Sequence, residues 1–190
     1  AANDVIVQSL SPTFLAFNSP VTELGRRVQW SGSIAYFYKS FTLLTEYGGG
    51  YQGYSLNRLT SQPVSFDGFM VHAAYFLTGE QTTRRVNLVR PKHRFGYENG
   101  EFGLGAWEIQ ARYSNLHLGR EVFTDGFANP LLWANRAEAV DLGLNWYWNF
   151  YTKIMLDWQH ATYNKPITSG TPGRYLSTTD LFWLRLQLFF

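Results

Sequence analysis

The chain has 190 residues, enough for one domain, with a net charge of +2 and no cysteine. The lack of cysteine excludes disulfide scaffolds and thiolate metal sites, and so small a net charge gives no reason to expect a nucleic-acid partner. Mean hydropathy is -0.21 although aromatic residues make up 18% of the chain. This combination is typical of strands with one apolar and one polar face. No run of about 18 apolar residues predicts a transmembrane helix.

Eight segments alternate with a period of two and are predicted as strands, because successive side chains of a strand point to opposite faces. They cover residues 4–17, 26–38, 41–54, 65–78, 104–118, 135–148, 151–163 and 177–190. The first is the weakest, since Pro12 interrupts it. The second is the clearest, with Trp30 and Ile34 on one face and Gln29 and Ser31 on the other.

The last segment indicates the class of fold. Its even-numbered residues from Phe182 to Phe190 are all apolar, and Arg185 and Gln187 lie between them. In a soluble domain such a terminal strand would leave an open edge and an apolar face in water. A closing strand with a terminal aromatic residue is typical of bacterial outer-membrane barrels. We therefore expect an all-β protein, an antiparallel transmembrane β-barrel whose apolar face meets lipid.

The connections between the predicted strands alternate in length. Tight connections at 39–40 and 149–150 fall on the same side as the C-terminus, whereas the loops near 18–25, 51–64, 119–133 and 164–176 fall on the other. Short periplasmic turns and long external loops are typical of outer-membrane barrels. Aromatic residues gather beside the predicted turns, which favours interfacial girdles, although aromatic residues favour strands of any kind.

One connection departs from this alternation. Residues 79–103 lie on the short-turn side and yet form a connection of about 25 residues, a length that usually has a function. Residues 84–94 contain no acid and five cations, which are Arg84, Arg85, Arg90, Lys92 and Arg94. This segment is either a solvated basic turn or part of the functional site.

Five stretches resemble the phosphate-selective porin family of the O and P type. They are AYFLTGE at 74–80, GAWEIQARYS at 105–114, LGLNWYWN at 142–149, KIMLDWQH at 153–160 and TDLFWLRLQLFF at 179–190. The stretches keep the order and spacing of the family, and the resemblance covers the chain from about residue 11 onward. It implies an outer-membrane porin of a Gram-negative bacterium, with outer-membrane lipid and small anionic or hydrophilic solutes such as phosphate as partners, and a homotrimer.

The resemblance also implies how the chain contributes to a barrel. The family barrel has about sixteen strands, so residues 1–190 would form a single domain that is the C-terminal half of a larger barrel. The connection 79–103 would fold into the lumen, where its cations would offer forked donors to oxyanions. The alternative is a self-contained small barrel with a structural or binding role, because eight strands enclose a space that side chains fill.

Alternation also assigns charged residues to the inner wall. The cations are Arg27, Lys39, Arg112, Lys153 and Arg185, and the acids are Glu46, Glu108, Asp141 and Asp157. This near balance does not by itself produce the positive potential of an anion-selective pore. The predicted solute-binding residues are therefore Arg84, Arg85, Arg90, Lys92, Arg94, Arg112, Lys153 and Arg185. Ion pairs between neighbouring strands of the wall are the competing interpretation of the charged residues.

Two other classes of protein, an enzyme and a soluble ligand-binding β-barrel, fit the sequence less well than a porin does. Neither the four histidines nor any serine lies in a recognisable nucleophile or metal motif, so we expect no enzyme, cofactor or metal. A soluble β-barrel with its apolar face turned inward also fits period two. The terminal aromatic residue, the aromatic residues at the turns and the unequal connections favour the membrane protein.

Overall fold

The computed structural model describes residues 12–84, 89–98, 100–169 and 173–189. Its strands are β1 Thr22–Tyr38, β2 Phe41–Ser55, β3 Gln62–Phe76, β4 Gly96–Glu98, β5 Glu101–Gly103, β6 Ala106–Leu118, β7 Arg136–Tyr147, β8 Thr152–Thr168 and β9 Tyr175–Leu188. One short helix, α1 Glu121–Thr124, lies between β6 and β7. No helix in the described ranges is long and apolar enough to cross a membrane.

Seven of the strands form one antiparallel sheet in the order β1-β2-β3-β6-β7-β8-β9, and β4 and β5 form a separate hairpin. Each strand pairs with the next one along the chain, apart from the excursion through the hairpin. The sheet is open, because β1 and β9 each have one edge without a strand partner among the described residues. The predicted antiparallel all-β fold is confirmed.

Seven of the eight predicted strands are confirmed, with boundaries that differ by up to five residues. The predicted strand at 4–17 is wrong over residues 12–17, which are not in a strand, and its remainder lies outside the described residues. Phe190 also lies outside them. The β4–β5 hairpin was not predicted, although Asn99-Gly100 between short runs containing aromatic residues is a strong signal for a two-residue turn.

The two faces of the sheet differ as alternation predicts. Large apolar side chains stand exposed on one face, including Ile34 at 68%, Phe182 at 70% and Leu184 at 73% exposure. Within the described ranges no second layer covers this face, so a fold with its apolar face turned inward is not observed. We call the apolar face the outer face, and the opposite one, which carries Arg112 and Asp141, the inner face.

A small core lies on the inner face, at the end of the sheet that carries the β6–β7 loop, which we call the loop end. Val122, Phe127 and Ala128 of the β6–β7 loop pack against Val64 of β3, and the Phe127 ring lies 5.9 Å from the Tyr54 ring. Apolar burial therefore holds this loop over one end of the inner face. The polar side chains of the inner face lie farther along the strands, towards the end of the sheet that carries the β1–β2 and β7–β8 turns, which we call the turn end.

Strands β1 and β2 approach each other too closely at Gly50 for a side chain to fit there. A Cβ atom at Gly50 would lie 1.9 Å from the Val28 carbonyl oxygen, whereas a Cβ atom at Gly32 of β1 would meet no heavy atom within 4 Å. Pairing is regular from Arg27 to Tyr38, after a register shift between Glu23 and Arg27. The glycine therefore permits a close crossing of β1 and β2 at this point.

Replacing Gly50 with alanine is expected to lower the free energy of unfolding by about 2 kcal/mol, because the backbone of β1 must move to admit the new methyl group. The measurement is urea unfolding of the full-length protein in lipid vesicles, followed by the electrophoretic shift between folded and unfolded forms. Gly32→Ala is the matched control and should have little effect. Equal effects of the two substitutions would contradict the close crossing.

Candidate functional site

Strands β3 and β6 to β9 bring polar side chains together around a cavity of about 290 Å³ on the inner face. We call this set the inner-face cluster. It comprises His72, Gln110, Arg112, Asp141, Asn145, Lys153, Asp157, Trp183 and Arg185, and Met155 and Gly143 also line the cavity. The strand register places these residues in adjacent rows, so their contacts follow from pairing between neighbouring strands.

Asp157 accepts hydrogen bonds from two neutral donors. Gln110 Nε2 donates to its Oδ1 at 3.0 Å, and Trp183 Nε1 donates to its Oδ2 at 2.9 Å. Gln110 and Asp157 lie two strands apart, with Gly143 between them in the register. A Cβ atom at Gly143 would lie 2.4 Å from both bonded atoms, so the bridge requires a glycine at this position.

Asp141 is held in the wall by residues on either side of it. Arg112 Nε donates to its Oδ2 at 3.0 Å, and Gln159 Nε2 donates to its Oδ1 at 2.6 Å. The side chain of Asp141 is 13% exposed, whereas that of Arg112 is 44% exposed. A solute on this face therefore meets the guanidinium group before it meets the carboxylate.

Glu108, beside the cavity, is also bonded to neutral donors. Asn145 Nδ2 and the Tyr147 hydroxyl both donate to Glu108 Oε2, at 2.8 and 2.9 Å. The ring of Tyr147 in turn faces a cation, since Lys153 Nζ lies 4.8 Å from its centroid. Amide, hydroxyl and indole groups of the wall thus bind carboxylates that would otherwise attract cations or pair with the basic residues.

Three predicted solute-binding residues meet at this cavity: Arg112 from β6, Lys153 from β8 and Arg185 from β9. Arg112 uses Nε for Asp141. Arg185 makes no ion pair or hydrogen bond with the residues that the structure describes. The formal charges nearly cancel. Asp157 and Glu108 are bonded by neutral donors and Asp141 by Arg112 and Gln159, while Lys153, Arg185 and the terminal nitrogens of Arg112 keep donors for a ligand.

The other predicted residues lie on the connection 79–103 at the turn end, away from this cavity. Its backbone reaches the β1–β2 turn, where Thr82 N donates to Lys39 O at 3.1 Å. It also reaches the β7–β8 turn, where the Arg90 guanidinium lies 4.6 Å from the Phe150 ring centroid. Arg84, Arg90, Lys92 and Arg94 are all exposed. Arg85 lies outside the described residues, and entry of the basic stretch 84–94 into the lumen stays a prediction.

The neutral members of the cluster were missed in the sequence. Gln110, Asn145 and Trp183 occupy inner-face positions by alternation, but only the register shows which carboxylate each one reaches. The expected pairing between neighbouring strands is found for Arg112 and Asp141. No group of three or more histidine, aspartate or glutamate residues among those described is placed to hold a metal ion.

Comparison with known proteins decides the family. A sequence model of phosphate-selective porin O and P matches residues 16–190. The chain belongs to this family. Its members are porins of the Gram-negative outer membrane, so the chain is part of an outer-membrane porin.

The chain is also similar to Porin O of Pseudomonas aeruginosa. The two are 31% identical over 128 residues, which cover 65% of this chain and 26% of Porin O. The matched part thus spans about a quarter of the length of this relative.

Gly143→Ala is expected to break the bridge between Gln110 and Asp157 and to destabilise the barrel by about 1 kcal/mol. A double-mutant cycle with Gln110→Ala checks this cause, because the cost of Gly143→Ala should be smaller once the glutamine is absent. Stability is measured by urea unfolding of the full-length protein in vesicles. If Gly143→Ala lowers the free energy of unfolding equally with and without Gln110, the bridge between Gln110 and Asp157 is not the reason for the glycine.

Proposed function

We propose that this chain forms part of the wall of a channel through which small hydrophilic solutes diffuse passively, with a preference for anions such as phosphate. The inner-face cluster carries this proposal. Its carboxylates are bonded by wall groups, and Arg112, Lys153 and Arg185 keep donors directed at a shared cavity. An oxyanion on this path gains charge-assisted hydrogen bonds, which a cation cannot make with these groups.

The rest of the channel wall is proposed to come from further strands of the same protein. The sheet is open at β1 and β9, and a transmembrane sheet must close so that no backbone group is left unpaired in lipid. The matched part spans only 26% of Porin O, which supports a longer polypeptide. About sixteen strands in total, as the resemblance implies, would enclose an aqueous lumen. A homotrimer is the corresponding prediction, measured as the mass of the solubilised assembly.

Lys153→Gln combined with Arg185→Gln is expected to lower the ratio of anion to cation permeability roughly threefold, because two positive charges leave the path. The ratio is measured as a reversal potential in planar bilayers under a potassium chloride gradient, using the full-length protein. Arg136→Gln is the matched control, since Arg136 lies on the outer face at the loop end and pairs with Glu138 at 2.7 Å.

Two results would count against the inner-face cluster. One is an unchanged reversal potential in the double variant, and the other is an equal shift in the control. Stepwise openings in every variant would still support a porin, whereas their absence from the unmodified protein would favour a closed small barrel without a channel.

Neutralising the cations of the connection 79–103 tests whether this segment contributes to anion selectivity. Glutamine at Arg84, Arg85, Arg90, Lys92 and Arg94 is expected to weaken anion preference and the block of chloride current by added phosphate, if this segment lines the path. Single-channel recording measures both quantities. Selectivity equal to that of the unmodified channel would remove the connection from the mechanism and leave the wall cations as the anion site.

A further inference from the structure

The end of the long connection lies on the lipid side of the barrel wall. The Phe95 ring packs edge-on at 5.1 Å from Trp146 and at 5.1 Å from Trp148. Trp146 belongs to the outer face, because it pairs with Ile154 and alternates with Asn145 of the inner-face cluster. Phe95, just before the β4–β5 hairpin, is therefore packed against the lipid-facing rings.

Hydrogen bonds fix the hairpin in this position. The indole N–H groups of Trp107 and Trp146 both donate to the Leu104 carbonyl oxygen, at 3.1 and 2.8 Å. Phe95 N donates to Trp148 O at 2.8 Å. The three indole rings are stacked, with centroids 5.0 Å apart for Trp107 and Trp146 and 5.4 Å apart for Trp146 and Trp148. The stacked rings of the wall thus hold the segments that enter and leave the hairpin.

An aromatic surface continues from this stack onto the hairpin. The Phe102 ring lies 5.3 Å from Phe95 and 5.3 Å from Tyr97. Tyr97 is 80%, Phe102 50% and Leu104 60% exposed, so the surface is left open by the described residues. Glu101, next to Phe102 on β5, is exposed as well and alternates to the other side of the hairpin.

We propose that the β4–β5 hairpin is a membrane foot that docks into the headgroup interface of the periplasmic leaflet. The partner is phospholipid, because the aromatic surface is continuous with the lipid face of the wall. Aromatic rings with a polar handle concentrate at this depth of a bilayer, where one side is apolar and the other is wet. Alternation gives the hairpin the same two-sided character, with Tyr97 towards lipid and Glu101 towards water.

The foot has a consequence for the long connection. It holds residues 95–98 and 100–104 on the lipid side, where they leave the solute path free. The inner-face cluster lies in the wall itself, so the proposed channel function does not depend on the foot.

Depth measurements test the proposal directly. The sequence contains no cysteine, so single cysteines can be introduced at Tyr97 and Glu101 and labelled with a nitroxide, any cysteine elsewhere in the full-length protein being replaced by serine. The protein is placed in vesicles of phosphatidylethanolamine and phosphatidylglycerol. Accessibility to oxygen, which concentrates in lipid, is compared with accessibility to a water-soluble nickel chelate. Leu184→Cys on the lipid face and Leu59→Cys in an external loop are the references.

The expected result is a label at Tyr97 that oxygen reaches readily and that is at least threefold less accessible to the chelate than the label at Leu59. The label at Glu101 should resemble that at Leu59. Chelate access at Tyr97 equal to that at Leu59 would overturn the proposal, since the hairpin would then stand in water. Low access to both reagents would also overturn it, because the surface would be covered by protein.

Folding is checked independently of membrane contact. Each labelled variant must form channels of unchanged conductance before its depth is interpreted. Phe102→Cys is the second lipid-facing position and replaces Tyr97→Cys if that variant fails to assemble. The same protected, oxygen-accessible pattern is expected at Phe102.

Discussion

A strand that crosses a bilayer has to satisfy its backbone polar groups within the protein, because lipid offers them no hydrogen bonds. The continuous antiparallel ladder from β1 to β9 meets this demand between neighbouring strands, and it fixes the register of each strand against the next. Once the register is fixed, the face of every side chain is fixed too, and a slip by one residue would exchange the faces. At Gly50 the pairing of β2 with β1 also requires a residue without a side chain, because a Cβ atom there would meet the Val28 carbonyl oxygen.

In the proposed channel, fixed faces would allow a nearly neutral wall to distinguish charges. A count of acids and bases on the inner face gives little net charge, and the count alone predicts no selectivity. The register, however, places Gln110 and Trp183 on Asp157, and Asn145 and Tyr147 on Glu108. Neutral donors thus bind Asp157 and Glu108, whereas Asp141 pairs with Arg112, and Lys153 and Arg185 make no ion pair with the described residues. Selectivity then depends on which groups have unused hydrogen-bonding capacity as well as on total charge.

Alternation made most of the fold predictable. Seven long strands, their two faces and the inner-face position of Arg112, Lys153 and Arg185 follow from period two, whereas the meeting of these three cations at one cavity depends on register. The partners of the carboxylates depend on the register between strands, which one strand's pattern does not contain. The connection 79–103 has no such period, so its side of the wall could not be predicted from sequence.

The alternation has a last consequence for residues adjacent in sequence. Arg112 bonds Asp141 on the inner face, and the next residue, Tyr113, donates to Glu138 on the outer face at 3.1 Å. In the proposed channel these neighbours would face different media, so a substitution at Arg112 would act on solutes and a substitution at Tyr113 would act on the membrane boundary. At the β4–β5 hairpin this rule gives way to packing, and stacked indole rings decide on which side of the wall the segment lies. The barrel thus separates its two environments by register in the strands and by aromatic contacts where the strands end.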